Sequence, residues 1–167
     1  MSGVGHAEPR VFVEGGGVVG APQSSLSNLD TGVGFRVAAG VQGRHAGVWS
    51  GYRRIWSGND THTPTEIWTA ELMIGMRFKL AVAARIALLL DGYFASVTLD
   101  SETADGGTNY TWHHQGEGGG ARVGASYAIT PHVAVSGAIT GSFAETTYDD
   151  DMGVGWLAGE LTVTGSW

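Results

Sequence analysis

The stretch Glu66-Ile-Trp-Thr-Ala-Glu-Leu-Met-Ile-Gly-Met-Arg-Phe-Lys79 decides the fold. Trp68, Ala70, Leu72, Ile74, Met76 and Phe78 fall at every second position, opposed by Thr69, Glu71, Met73, Gly75 and Arg77. A period of two places each set on its own face of a β-strand. The opposed face is unusual for a strand whose back is wetted by water. It carries small residues and isolated charges, where a water-facing surface would be rich in Lys and Glu.

The same alternation recurs on both sides of this stretch. Over residues 30–44, Val33, Phe35, Val37, Ala39 and Val41 oppose Gly34, Arg36, Ala38, Gly40 and Gln42. Ile86, Leu88 and Leu90 oppose Arg85, Ala87, Leu89 and Asp91, and Val133, Val135 and Ile139 oppose Ala134, Ser136, Ala138 and Thr140. Leu157, Leu161, Val163 and Trp167 oppose Ala158, Glu160, Thr162 and Thr164. Residues 10–21, 47–57 and 118–127 alternate less cleanly, which brings the count to eight strands. The Ala/Leu content of 80–90 also suits a helix; it is read as strand because Arg85 and Asp91 then share a face. Short connections near 44–47, 79–83 and 130–132 alternate with long polar ones near 22–29, 57–65, 100–109 and 144–152. That rhythm is an antiparallel up-and-down meander with its long loops at one end. Residues 9–167 form the barrel domain, and residues 1–8 a flexible N-terminal segment, read as a signal-peptide remnant or an expression leftover.

Composition agrees. The chain has 167 residues, 28 of them Gly, no Cys, and a net charge of −7 with 15% charged residues. Glycine at helix positions costs about 1 kcal/mol each relative to Ala, which disfavours a helical protein. The absence of Cys excludes disulfides and thiolate metal sites. No apolar run reaches the ~18 residues of a membrane helix.

The large residues Phe35, Leu72, Ile74, Phe78, Leu88 and Leu161 would face outward if the small ones pack inside a narrow barrel. Such a band requires lipid, so the expected fold is an all-β, eight-stranded antiparallel transmembrane barrel. The expected interior charges are Arg36, Arg77, Arg85 and Arg122 against Glu14, Glu71, Asp91 and Glu160, balanced because an unpaired buried charge costs several kcal/mol. Trp56, Trp68, Trp112 and Trp156 beside the long loops, with Trp49, Phe78, Tyr127 and Trp167 near the short turns, are expected to form two aromatic girdles. Residues 47–57 are ambiguous in register. Arg53 and Arg54 fall on opposite faces, so either a bulge intervenes or one arginine snorkels outward.

The C-terminal Leu157-Ala-Gly-Glu-Leu-Thr-Val-Thr-Gly-Ser-Trp167 resembles the last strand of bacterial outer-membrane barrels, which ends in an aromatic residue preceded by alternating apolar ones. Gly165 departs from that alternation. Gly124-Ala-Ser-Tyr-Ala-Ile-Thr-Pro-His-Val133 is similar to the strand–turn–strand units of small OmpA/OmpX-type barrels. The resemblance implies recognition of the terminal strand by the outer-membrane insertion machinery. It also implies contact with outer-membrane lipid and lipopolysaccharide, periplasmic termini and extracellular long loops. It implies no single activity.

Sites for chemistry are few. His6, His45, His62, His113, His114 and His132 lack metal-ligand spacing. No His-x-Ser occurs of the kind that small outer-membrane lipid A deacylases use, so no catalytic residue, metal or cofactor is expected. The triple glycines after Glu14 and Glu117 lack the Lys-Ser/Thr of a phosphate-binding loop. Tyr148, Asp149, Asp150 and Asp151 make an acidic loop, read as a solvated tip in preference to a divalent-cation site. The long loops carry no Lys or Arg, and net acidity argues against nucleic acid. A surface partner would meet the long loops. Two further readings stand beside the structural one: a soluble lipocalin-like barrel around an apolar ligand, and a lipid A-modifying enzyme.

Overall fold

A computed structural model describes residues 8–24, 29–59, 65–105, 108–146 and 152–167. Eight strands follow one another: β1 (Arg10–Ser24), β2 (Gly32–Gln42), β3 (Ala46–Asn59), β4 (Thr65–Ala81), β5 (Ile86–Asp105), β6 (Thr108–Ala128), β7 (Val133–Thr146) and β8 (Met152–Ser166). Each pairs antiparallel with its sequence neighbours, and β8 closes on β1 into a barrel. The seam is finished by reciprocal backbone bonds of 3.1 Å between Val11 and Trp167. The N-terminal segment set apart by the sequence lies outside the described residues except for Glu8, and so does the acidic run Tyr148–Asp151.

The register sets the barrel's dimensions. From Val11 the ladder passes through Val41, Val48, Met76, Gly92, Ala121, Gly141 and Leu157 and returns to β1 at Ala21, ten residues from its start. With eight strands, that stagger corresponds to a tilt of about 40° and a backbone radius of about 8 Å. Side chains alone fill such an interior.

Alternation decides which side chains those are. Phe94 is 79% exposed and Leu72 and Ile74 are each 66% exposed, whereas Glu14, Arg36, Arg122 and Asp91 are buried. The large apolar face therefore points out of the barrel, and the lipocalin-like reading, which needs it around an internal cavity, is excluded. On β4 the outward set from Trp68 to Leu80 is free of charge. At about 3.3 Å per residue and this tilt it spans about 30 Å, the thickness of a bilayer's hydrocarbon core.

Two boundaries differ from the sequence reading. Of the segment 100–109, read as a loop, residues 100–105 and 108–109 are strand: β5 and β6 stay paired to Asp105↔Thr108. Residues 80–90 contain a turn, closed by the bond from the Val82 N–H to the Ile86 carbonyl at 3.0 Å. β3 needs no bulge, because its pairing with β2 runs unbroken from Val33↔Trp56 to Gln42↔Gly47.

Glycine serves close approach at particular inward positions. A Cβ on Gly34 would run into the Arg54 carbonyl oxygen, and one on Gly16 into that of Leu161. Outward Gly17 has open space. Gly34→Val is therefore expected to abolish the heat-modifiable gel shift of the folded barrel, while Gly17→Val leaves it intact. Equal behaviour of the two variants would contradict the assigned faces.

Candidate functional site

The lumen holds four guanidiniums, Arg36, Arg53, Arg77 and Arg122, and four carboxylates, Glu14, Glu71, Asp91 and Glu160, all buried. Register creates three of the pairs directly, since Arg53↔Glu71, Arg77↔Asp91 and Asp91↔Arg122 face each other across adjacent strands. Arg53 donates to both Glu71 oxygens at 2.8 and 2.7 Å and to Ser142 Oγ at 2.7 Å. Arg77 grips Asp91 with two bonds, at 2.8 and 2.9 Å, the fork geometry that suits a carboxylate. It reaches Glu14 at 3.2 Å. Arg122 donates to Glu160 at 2.7 Å and to Asp91 at 3.0 Å.

Arg36 and Arg53 are rung partners of like charge, an arrangement that is destabilising without counter-ions. Glu14 pairs with Arg36, and Glu160 lies 3.9 Å from Arg36 and 3.5 Å from Arg53. Hydroxyls complete the acceptors: Thr140 donates to Glu160 at 2.8 Å and Thr164 to Glu14 at 3.1 Å. Aromatic faces cover two of the cations, with Trp49 4.7 Å from Arg36 and Phe12 4.9 Å from Arg77. An apolar cluster that includes Val18, Ile55, Leu99 and Trp156 fills the lumen on the loop side of the network.

Seven of the eight interior charges expected from the sequence come together here. Arg85 does not. The turn at 82–85 leaves it exposed just before β5 begins, and Arg53 takes the fourth cationic place. The signal for Arg53 is its shared parity with Trp49, Gly51 and Ile55. Arg54 points outward and stacks over Trp56 at 5.3 Å. The girdles also change. Trp49 (3% exposed) and Trp156 (1%) lie inside, because each shares the parity of inward neighbours. Trp112 pairs with Ser101 on the part of the β5–β6 hairpin past the last β6–β7 rung at Gly116↔Thr146, so it stands clear of the wall. Trp56 and Trp68 face outward as rung partners toward the loop end, and Phe78, Tyr127 and Trp167 are exposed at the turn end.

Asp100 and His113, rung partners on the outward face of the hairpin, are hydrogen-bonded. Among the described residues no group of three or more His, Asp or Glu is arranged to hold a metal. The hydroxyls of Ser142, Thr162 and Thr140 are bonded to Arg53, Arg122 and Glu160, and that of Thr69 accepts from the Trp156 indole N–H at 3.3 Å.

No protein-family model matches the chain, and no curated protein does either. Solved structures do. Neisserial surface protein A is 16% identical with a TM-score of 0.72, over 94% of this chain and 97% of that one. Ail, the attachment invasion locus protein of Yersinia pestis, is 13% identical with a TM-score of 0.67, over 96% and 99%. A major outer membrane protein from Thermus thermophilus is also 13% identical with a TM-score of 0.67, over 95% and 99%. The chain thus has the fold of small outer-membrane β-barrels.

Removing one member of a buried pair strands the other charge, at a cost of about 3–5 kcal/mol. Arg53→Met is expected to lose about that much in urea unfolding of the barrel in detergent micelles, and Arg53→Met/Glu71→Met to regain at least half of it. A double variant no more stable than the single one would contradict the pairing.

Proposed function

We propose that this chain is an integral barrel of a bacterial outer membrane whose lumen is closed by its ion-pair network, with a structural or surface-contact role. The observation that carries the reading is the inversion of sides: four ion-paired cations and four acids inside, and outside an apolar wall that on β4 runs uncharged for about 30 Å. The fold shared with outer-membrane barrels supports the compartment. The short turns, the start of β1 and the end of β8 lie at one end, and this supports a periplasmic assignment for that end, with the long connections at the cell surface. In that orientation the wall contacts outer-membrane lipid and lipopolysaccharide, with Arg54, the rung partner of Ala70, beside Trp56 in the loop-side part of the wall. The terminal strand β8 serves as the segment read by the insertion machinery. Any surface partner meets the loop end, where Glu66, Asp100, Glu102, Glu117 and Glu145 give an acidic rim.

No catalytic role is part of the proposal. The fold accommodates many functions, and the lumen's four guanidiniums and four carboxylates are paired with one another. An eight-stranded barrel with a filled interior carries no aqueous path. The reconstituted protein in a planar bilayer is therefore expected to show no stepwise conductance in molar salt. Regular open-channel steps from the intact barrel would overturn the plugged-lumen role and leave the fold untouched.

A further inference from the structure

Below the ion-pair network the lumen opens at the turn end into a cavity of about 310 Å³. Arg10 on β1 and Lys79 on β4, both with the inward parity of their strands, line it together with Arg44 in the β2–β3 turn. The interior network is already neutral, four against four, so these cations are surplus to it. None of the three makes an ion pair among the described residues, and Glu8 is the one carboxylate on the cavity wall. Arg10 gives one N–H to the Pro131 carbonyl at 3.3 Å. Arg77 closes the cavity from within but is committed to Asp91 and Glu14. A second observation points the same way. Ser136, 1% exposed, lines the cavity, and its Oγ has no hydrogen-bond partner. A buried hydroxyl without a partner costs about 1–3 kcal/mol, and here it borders a space lined by unpaired cations.

We propose that this mouth is a binding site for a small soluble anion of the phosphate class, carrying two or more negative charges. Three cations against one carboxylate leave two positive charges to neutralise. A tetrahedral phosphoryl group offers several acceptors at once to an ammonium, a guanidinium and the Ser136 hydroxyl. The volume suits a phosphate or pyrophosphate and is too small for a folded polypeptide. The cavity opens at the turn end of the lumen, inside the ring of strands, whereas lipid would lie against the outer wall. A free anion reaches it more directly than a lipid headgroup. The site is a blind vestibule, since the network seals its inner end. It depends on the fold alone and not on the compartment proposed above.

Isothermal titration of pyrophosphate into the barrel in a phosphate-free maltoside detergent tests this, with folding of each variant checked by heat-modifiable mobility. The expected result is one saturable site that weakens as salt rises. Arg44→Gln/Lys79→Gln is expected to weaken binding at least tenfold and Ser136→Ala measurably, while Arg85→Gln, at the same end but outside the cavity, leaves it unchanged. Should the double variant fail to fold, Arg44→Gln alone, in a turn, carries the same readout. No saturation up to about 10 mM pyrophosphate, or equal weakening by Arg85→Gln, would overturn the site. Binding only to vesicles that contain phosphatidic acid would overturn the soluble-anion assignment.

Discussion

Four arginines facing four carboxylates in a space about 8 Å in radius are the constraint on which the rest of this barrel depends. Each charge is buried, and a buried charge is tolerable only when paired and hydrogen-bonded. Pairing in turn requires the register. Moving one strand by a single residue would turn its charge into the apolar wall and its Leu or Phe into the lumen. The ten-residue stagger around the barrel, the antiparallel order and the ion pairs are therefore one arrangement seen three ways. The glycines fit within it. At Gly16 and Gly34 a neighbouring strand's carbonyl stands where a side chain would be, so wall curvature and lumen filling draw on the same positions.

Much of this is legible in the sequence because a period of two is unambiguous when one face is large and apolar. β2, β4 and β8 can be assigned to faces residue by residue, and their faces lead to Arg36, Glu71, Arg77 and Glu160; Asp91 follows from the short alternation 85–91, while Glu14 and Arg122 lie in stretches that alternate less cleanly. The failures are of other kinds. Arg85 has the correct parity but falls one residue short of its strand, and parity says nothing about where a strand ends. Nearness to strand ends puts Trp49 and Trp156 in the girdles, although their parity already places them inside. The pairing of 100–105 with 108–113 is hidden because its polar, acidic residues resemble a loop. Beyond the wall there is no lipid to demand apolar side chains, so that part of the hairpin is free to be polar.

The two ends of the barrel differ in charge for a related reason. The loop-end rim collects acids, whereas the turn end holds Arg10, Arg44, Lys79 and Arg85, none of which the neutral network needs. A net charge of −7 on the whole chain conceals this polarity. The neutral network lies between these two differently charged ends.

The wall faces hydrocarbon while the charges face each other. The chain contains no Cys, so single-cysteine spin labels at Leu72, Leu88 and Leu161 can be read without background in a reconstituted bilayer. Oxygen dissolved in the lipid is expected to relax all three strongly, and a water-soluble nickel chelate to leave them unrelaxed. Labels shielded from both reagents, or relaxed by the chelate alone, would contradict a hydrocarbon-facing wall.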